Sequence, residues 1–416
     1  MTIHVTEVSM MLLRCALITV CLSLTFTALA APAADTPTLK THKALLIGVD
    51  GMQYEKLQQA IQQGKAPTTA RLHLYKSYTG GVLGTSTQQP TVSGPGWTTI
   101  LTGSWVDRHQ VNANDEALRN QAPSLFKQLK LAFPDRKTAS IVSWNVIHEN
   151  FAEDIAQGYI DLAFKCSGVD PCVVDNVSHE LENGQPDLLF AHFDEPDITG
   201  HRLGFTPEYQ QAIQTVDTQV GQILLALQRR EKAHPEEDWL VIVLPDHGRH
   251  LPEGKDHGEQ TLSEKTTFIA MNKKGNAQLT APIGKPLNPD FKGLYGFASQ
   301  ADITPTVLAW LGVKPDLTRY TMDGLPLIGP LGVRQLTAQQ QPDRTQVNLS
   351  WRTETPTGKP VQIYRDGQPI ARLTDHEHSY VDNDIQALKG PINYTLVFNG
   401  VPVSRLVTLQ EQKSTP

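Results

Sequence analysis

Aspartate and histidine recur in this chain at places where their side chains could converge. Asp50 stands in Val49-Asp50-Gly51. Asp197 and His201 close the run Glu195-Pro196-Asp197-Ile198-Thr199-Gly200-His201. Asp246 and His247 sit in Pro245-Asp246-His247-Gly248, and His257 in Asp256-His257-Gly258. Imidazole nitrogen mixed with carboxylate oxygen suits zinc, manganese or iron, whereas an all-oxygen set would suit magnesium or calcium. Zinc is the first expectation. Asp197 and His201 share one face if Pro196 opens a helical turn. Asp246 and His247 are adjacent, so in a strand they would face opposite sides, and both reach one ion only from a loop beyond it. Singly each has a plainer reading as a turn, a solvated pair or a helix cap. Their convergence is what would give them chemistry.

A hydroxyl nucleophile is available in Pro90-Thr91-Val92-Ser93-Gly94-Pro95-Gly96-Trp97. Residues 97–102 suit a short helix with Ser93 at its N-terminus, where backbone N–H groups and the helix dipole favour an anion. A metal there would lower the hydroxyl pKa and orient it for attack on phosphorus. The competing role for Ser93 is a simple helix cap.

The elements that must position these residues are short β-branched and apolar runs at 44–49, 139–144, 188–193, 239–244 and 266–271. They read as buried strands of a mainly parallel sheet. The candidate acids and histidines fall just past their C-terminal ends, where open α/β sheets bind ligands. The longest helix opens at Thr206-Pro207-Glu208 and carries Ile213, Val216, Val220, Ile223 and Leu227 on one face. Another runs from Asp302 to Leu311 and stops at Gly312. The expectation is an α/β sandwich with helices on both faces, spanning 40–335. A Gln-rich linker follows at 336–344. Alternating strands at 345–412, with turns at Asp366-Gly367 and Asn399-Gly400, read as a small all-β sandwich, fibronectin type III-like in look.

The ordered motifs resemble the alkaline phosphatase superfamily, and within it the nucleotide pyrophosphatase/phosphodiesterase branch, over residues 43–330. The resemblance implies an alkaline phosphatase-like three-layer α/β/α sandwich and two divalent metal ions, zinc first, with manganese or iron as alternatives. One ion would be held by Asp197, His201 and His257, the other by Asp50, Ser93, Asp246 and His247. Asn114, 21 residues after Ser93, stands where this branch carries an asparagine that hydrogen-bonds a phosphate oxygen; as a loop residue it has an equally ordinary reading. The implied reaction is attack by Ser93 on a small, nucleotide-like phosphate ester, a phospho-serine intermediate, and its hydrolysis by water. Two departures bear on substrate. Ser replaces the branch's usual Thr, and Ser-Gly-Pro-Gly-Trp has a sulfatase-like spacing with Trp97 where Arg belongs, which argues against a sulfatase. A phosphomonoesterase and a non-catalytic surface-binding relative are the alternatives, with glycan or surface contact through the C-terminal domain.

Bulk composition adds the compartment. Residues 12–29 form an apolar run behind Arg14 that ends in Ala28-Leu29-Ala30, a signal peptide over 1–30 with no anchor left after cleavage. Export, to periplasm or medium, makes one disulfide from Cys166 and Cys172 the natural outcome. A net charge of −7 over 416 residues, without basic runs, excludes a broad nucleic-acid docking surface.

Overall fold

A computed structural model describes residues 40–354 and 356–410; the expected signal peptide and residues 411–412 lie outside the described part. Eight strands make one sheet: β1 (Thr41–Val49), β2 (His73–Tyr78), β3 (Thr138–Val142), β4 (Leu162–Lys165), β5 (Leu188–Phe193), β6 (Glu237–Leu244), β7 (Thr266–Met271) and β8 (Ala298–Ser299). Their order is β4-β3-β5-β1-β6-β7-β2-β8. The stretch from β4 to β6 is all parallel. β7 runs antiparallel to both β6 and β2, so the strand read at 266–271 is present but reversed.

The central strand explains the layering. Leu45, Ile47 and Val49 of β1 join one buried cluster with the helices Asp170–Asn183 and Pro207–Ala233, while Ala44 and Leu46 join a second with Ser93–Thr102, Leu125–Ala132 and Ile303–Trp310. A strand that is apolar at successive positions can be buried on both faces, and β1 is so from Ala44 to Val49. The result is the expected three-layer sandwich.

The C-terminal part has seven strands: β9 (Arg334–Gln340), β10 (Val347–Arg352), β11 (Val361–Arg365), β12 (Gln368–Leu373), β13 (Ser379–Asp382), β14 (Pro391–Phe398) and β15 (Val401–Thr408). They form antiparallel sheets ordered β13-β10-β9 and β12-β11-β14-β15 around a common core. Asp366-Gly367 and Asn399-Gly400 make their hairpin turns with positive φ at both residues. Where the sequence suggests a linker at 336–344, the structure has β9, because Leu336 is buried in that core and 337–340 pair with β10. Nor do these sheets stand apart from the α/β part: the described residues 40–354 and 356–410 belong to one compact unit. Asp323 marks the seam, accepting from Trp105 N (3.0 Å) while paired with Arg108 and Arg405. Cys166 and Cys172 are joined as a disulfide. Among the described residues no helix is long and apolar enough to cross a membrane.

Candidate active site

β1 pairs in parallel with β5 and β6, so residues just past these strands become neighbours in space. Asp50 follows β1 directly. Asp197 and His201 lie in the helix Asp197–Leu203, whose N-cap is Pro196, so they do share a face. Asp246 and His247 lie in the loop beyond β6, where both reach the same side. The ligand atoms of Asp50, Asp246 and His247 all fall within 4.8 Å of one another, and so do those of Asp197, His201 and His257. The sets adjoin. The His247 and His257 rings stack with centroids 3.8 Å apart. Gly51, at φ +58°, lies so near Asp197 that a Cβ there would be 2.0 Å from its Oδ1, so both conformation and space demand glycine.

The donor set fits divalent ions. His247 Nδ1 is 2.9 Å from Gly248 O, and His257 Nδ1 is 2.9 Å from Thr91 O. A carbonyl only accepts, so both Nδ1 atoms carry the proton and both Nε2 atoms present lone pairs. His257 Nε2 faces His201 Nε2 at 3.0 Å and His201 Nε2 lies 3.1 Å from Asp197 Oδ2. Asp246 Oδ2 is buried without a hydrogen-bond partner, 3.3 Å from His247 Nε2. Converging lone pairs and an orphaned buried carboxylate oxygen are what a bound cation would satisfy.

Electrostatics agree. Burial, then the charges of Asp197 and Asp194, raises the Asp50 carboxyl well above its ordinary range; burial, then Asp50 and Asp197, does the same to Asp246. Burial lowers His247 and His257, which keeps both rings neutral. Burial opposes ionisation of Asp197 too, but the His201 hydrogen bond and the Arg249 guanidinium outweigh it and hold that carboxyl low.

Ser93 opens the helix Ser93–Thr102, and Val92 is the N-cap. Its Oγ makes no cap hydrogen bond. It lies 3.3 Å from Asp50 Oδ1 and 3.3 Å from His247 Nε2 instead, so the capping role is not the one it has. The helix terminus offers an anion less than the sequence suggests. Gly94 N donates to Asn114 Oδ1 at 2.7 Å, Pro95 has no N–H, and Gly96 N bonds Val92 O. Asn114 thereby sits against the turn that carries Ser93, and its amide nitrogen makes no hydrogen bond to the described residues.

Three further residues touch the donor sets without having been expected there. Arg249, fully buried, pairs with Asp197 and donates to Gly254 O and Lys255 O, joining Asp197 to the loop that carries His257. Trp97 Nε1 (2.9 Å) and His192 Nε2 (3.1 Å) both reach Asp50 Oδ2. The available signal for His192 was a lone polar residue inside the apolar run 188–193; Arg249 had none beyond adjacency to Asp246-His247-Gly248.

Residues 121–290 match the family model of type I phosphodiesterase / nucleotide pyrophosphatase. That span includes Asp197, His201, Asp246, His247 and His257. GPI ethanolamine phosphate transferase 3 of Schizosaccharomyces pombe is 27% identical over 205 residues, 48% of this chain and 20% of its own length. A 2,3-bisphosphoglycerate-independent phosphoglycerate mutase of Rhodopseudomonas palustris is 35% identical over 78 residues, 19% of this chain and 14% of its own. The matched regions thus span a fifth or less of these curated relatives. Among solved structures, the lipoteichoic acid synthase LtaP from Listeria monocytogenes aligns at 15% identity with a TM-score of 0.48, over 76% of this chain and 83% of that one. Murine ectonucleotide pyrophosphatase / phosphodiesterase 5 aligns at 20% identity and a TM-score of 0.38, over 50% and 57%. The family match agrees with the resemblance read from the ordered motifs.

Proposed function

We propose that this chain is an exported phosphoric-ester hydrolase of the phosphodiesterase/nucleotide pyrophosphatase type, with Ser93 as nucleophile and a zinc-class divalent ion at each donor set. The observation that carries the reading is the place of Ser93 Oγ, 3.3 Å from both Asp50 Oδ1 and His247 Nε2, beside a second complete donor set. The family match over 121–290 supports it, and a relative named for ethanolamine phosphate transfer supports a phosphate group as the reacting centre.

The residues divide the work as follows. Ser93 Oγ forms a bond to phosphorus, the ester oxygen leaves with the electron pair of the broken P–O bond, and water later hydrolyses the phospho-serine. Asp50 Oδ1, to which Ser93 Oγ donates, is the acceptor within reach of the Ser93 proton. Asp197, His201 and His257 would hold one ion and Asp50, Ser93, Asp246 and His247 the other. When bound, these ions supply Lewis-acid stabilisation of the attacking and leaving oxygens. Asn114, fixed through its Oδ1, keeps an amide donor for a phosphate oxygen. That donor ranks diester or pyrophosphate substrates ahead of monoesters. The apolar run at 12–29, read as a leader, and the disulfide support export.

The test compares bis-p-nitrophenyl phosphate with p-nitrophenyl phosphate, before and after EDTA and zinc. Diester hydrolysis lost to EDTA and restored by zinc is expected, with Ser93→Ala lowering kcat roughly 10³-fold or more. Full activity in Ser93→Ala would remove Ser93 as the nucleophile. A monoester preference would make Asn114 a bystander.

A further inference from the structure

Asp50 has two oxygens in unlike surroundings. Oδ2 receives Trp97 Nε1 at 2.9 Å and His192 Nε2 at 3.1 Å, while Oδ1 lies 3.3 Å from Ser93 Oγ and 3.5 Å from His247 Nε2. We propose that His192 is a positioning residue which, together with Trp97, pins one oxygen of Asp50 and thereby presents the other to the metal and nucleophile. This role rests on the phosphoric-ester reading above.

The ring's tautomer follows from its second nitrogen. Trp144 N donates to His192 Nδ1 at 3.4 Å, so Nδ1 is the acceptor and the proton resides on Nε2, pointing at Asp50 Oδ2. Two N–H donors on one oxygen break the equivalence of the carboxylate's oxygens. Any turn of the carboxylate about Cβ–Cγ short of a half-turn would forfeit both bonds.

The supports are themselves immobilised. His192 is fully buried and Trp97 nearly so. The indole meets the imidazole edge-on, with centroids 4.8 Å apart and planes at 89°. Gly48, the register partner of His192 across β1 and β5, lies beneath the indole, where a Cβ would come within 2.4 Å of Trp97. Glycine at 48 is therefore the space the indole needs to reach Asp50. Both donors are also uncharged. A lysine or arginine at the same oxygen would orient Asp50 but offset the negative charge that draws a cation. Neutral donors orient it and leave that charge in place.

The test is zinc affinity, measured by competition with a chromophoric chelator, alongside kcat and KM on bis-p-nitrophenyl phosphate. His192→Phe keeps the volume and loses the donor; one of two zincs should bind roughly 10- to 100-fold more weakly, the other unchanged, with a cooperative melting transition. His192→Gln, whose amide can donate to Oδ2, should recover most of that affinity. Trp97→Phe removes the other donor and should show the same one-site weakening even if His192→Phe does not fold. Wild-type affinity for both zincs in the folded Phe variants would overturn the role, as would equal losses in His192→Gln and His192→Phe, which mark packing alone. Zinc binding by wild type with neither ester hydrolysed would sink the activity and leave the positioning role standing; no zinc binding at all would overturn both.

Discussion

Asp50, Asp246 and His247 are sealed, with side chains no more than 2% exposed, whereas His201 is 49% exposed at the edge of the other set. The two sets also differ in how they are held. The sealed set hangs from the ends of adjacent strands, and its Asp50 is oriented by neutral N–H groups. The open set comes from one turn of helix and a loop, and its Asp197 is held by a buried guanidinium that already offsets its charge. Buried charge uncompensated by protein draws a cation strongly, because the alternative is an unsatisfied carboxylate in a low-dielectric site. If both sets hold ions as proposed, the sealed set should be the tighter and slower-exchanging of the two, and the open set the one from which an ion leaves first.

The largest effect that could break this comparison comes from removing one histidine from each set. His247→Ala strips a ligand beside Ser93, and since a bound ion's Lewis acidity is worth several kcal/mol, kcat should fall on the order of 10³-fold and resist rescue by added zinc. His201→Ala should cost about 10- to 100-fold and recover with excess zinc. In wild type, EDTA should remove zinc in two phases, the fast one missing from His201→Ala. A single phase, or equal losses in the two variants, would mean the sets do not differ in the way their burial implies.

Arg249→Met sharpens the same contrast on stability. Breaking a buried ion pair by removing one partner costs about 3–5 kcal/mol, because the other charge is left uncompensated. Without Arg249, Asp197 keeps only the His201 contact at 3.1 Å, and a bound ion would supply the charge that the guanidinium had offset. The loss should therefore appear in EDTA and shrink in saturating zinc, measured by chemical denaturation under both conditions. The same loss in both would assign Arg249 to holding the 254–257 loop rather than to Asp197.

In both sets the converging carboxylates were legible in the sequence and the residues that orient them were not. Strand ends at 49, 193 and 244 were marked by buried apolar runs, and since a parallel sheet carries the residues after such strands to one edge, Asp50, Asp197 and Asp246 could be placed before any coordinates. The orienting residues could not. His192 sits inside a run that reads as core, and nothing in its spacing says that Asp50 will face it across β1 and β5. Nothing in the sequence singles out Arg249, whose role depends on the 254–257 loop folding over it. The linker failed for a similar reason: 336–344 is polar because β9 buries only alternate residues, among them Leu336.

Asp107 gives the comparison a carboxylate that burial raises where no donor set gathers. Burial, then the Asp323 charge, pushes it up to about 6, and its Oδ1 is buried with no hydrogen-bond partner. An unfolded Asp titrates near 3.9, so between about pH 4 and 6 the folded chain holds more protons than the unfolded one, and stability falls as pH rises. The stabilisation is complete below the unfolded pKa and gone above the folded one. Screening by solvent and the Ser86 hydrogen bond to Oδ2 leave an effect of about 1–2 kcal/mol. Urea denaturation at pH 4.5 and 7.5 in constant EDTA should show the wild type losing that much more than Asp107→Asn across the interval. Parallel curves would mean that the protein solvates this carboxylate despite its burial, and would weaken the argument that burial alone makes Asp50 and Asp246 demand a cation.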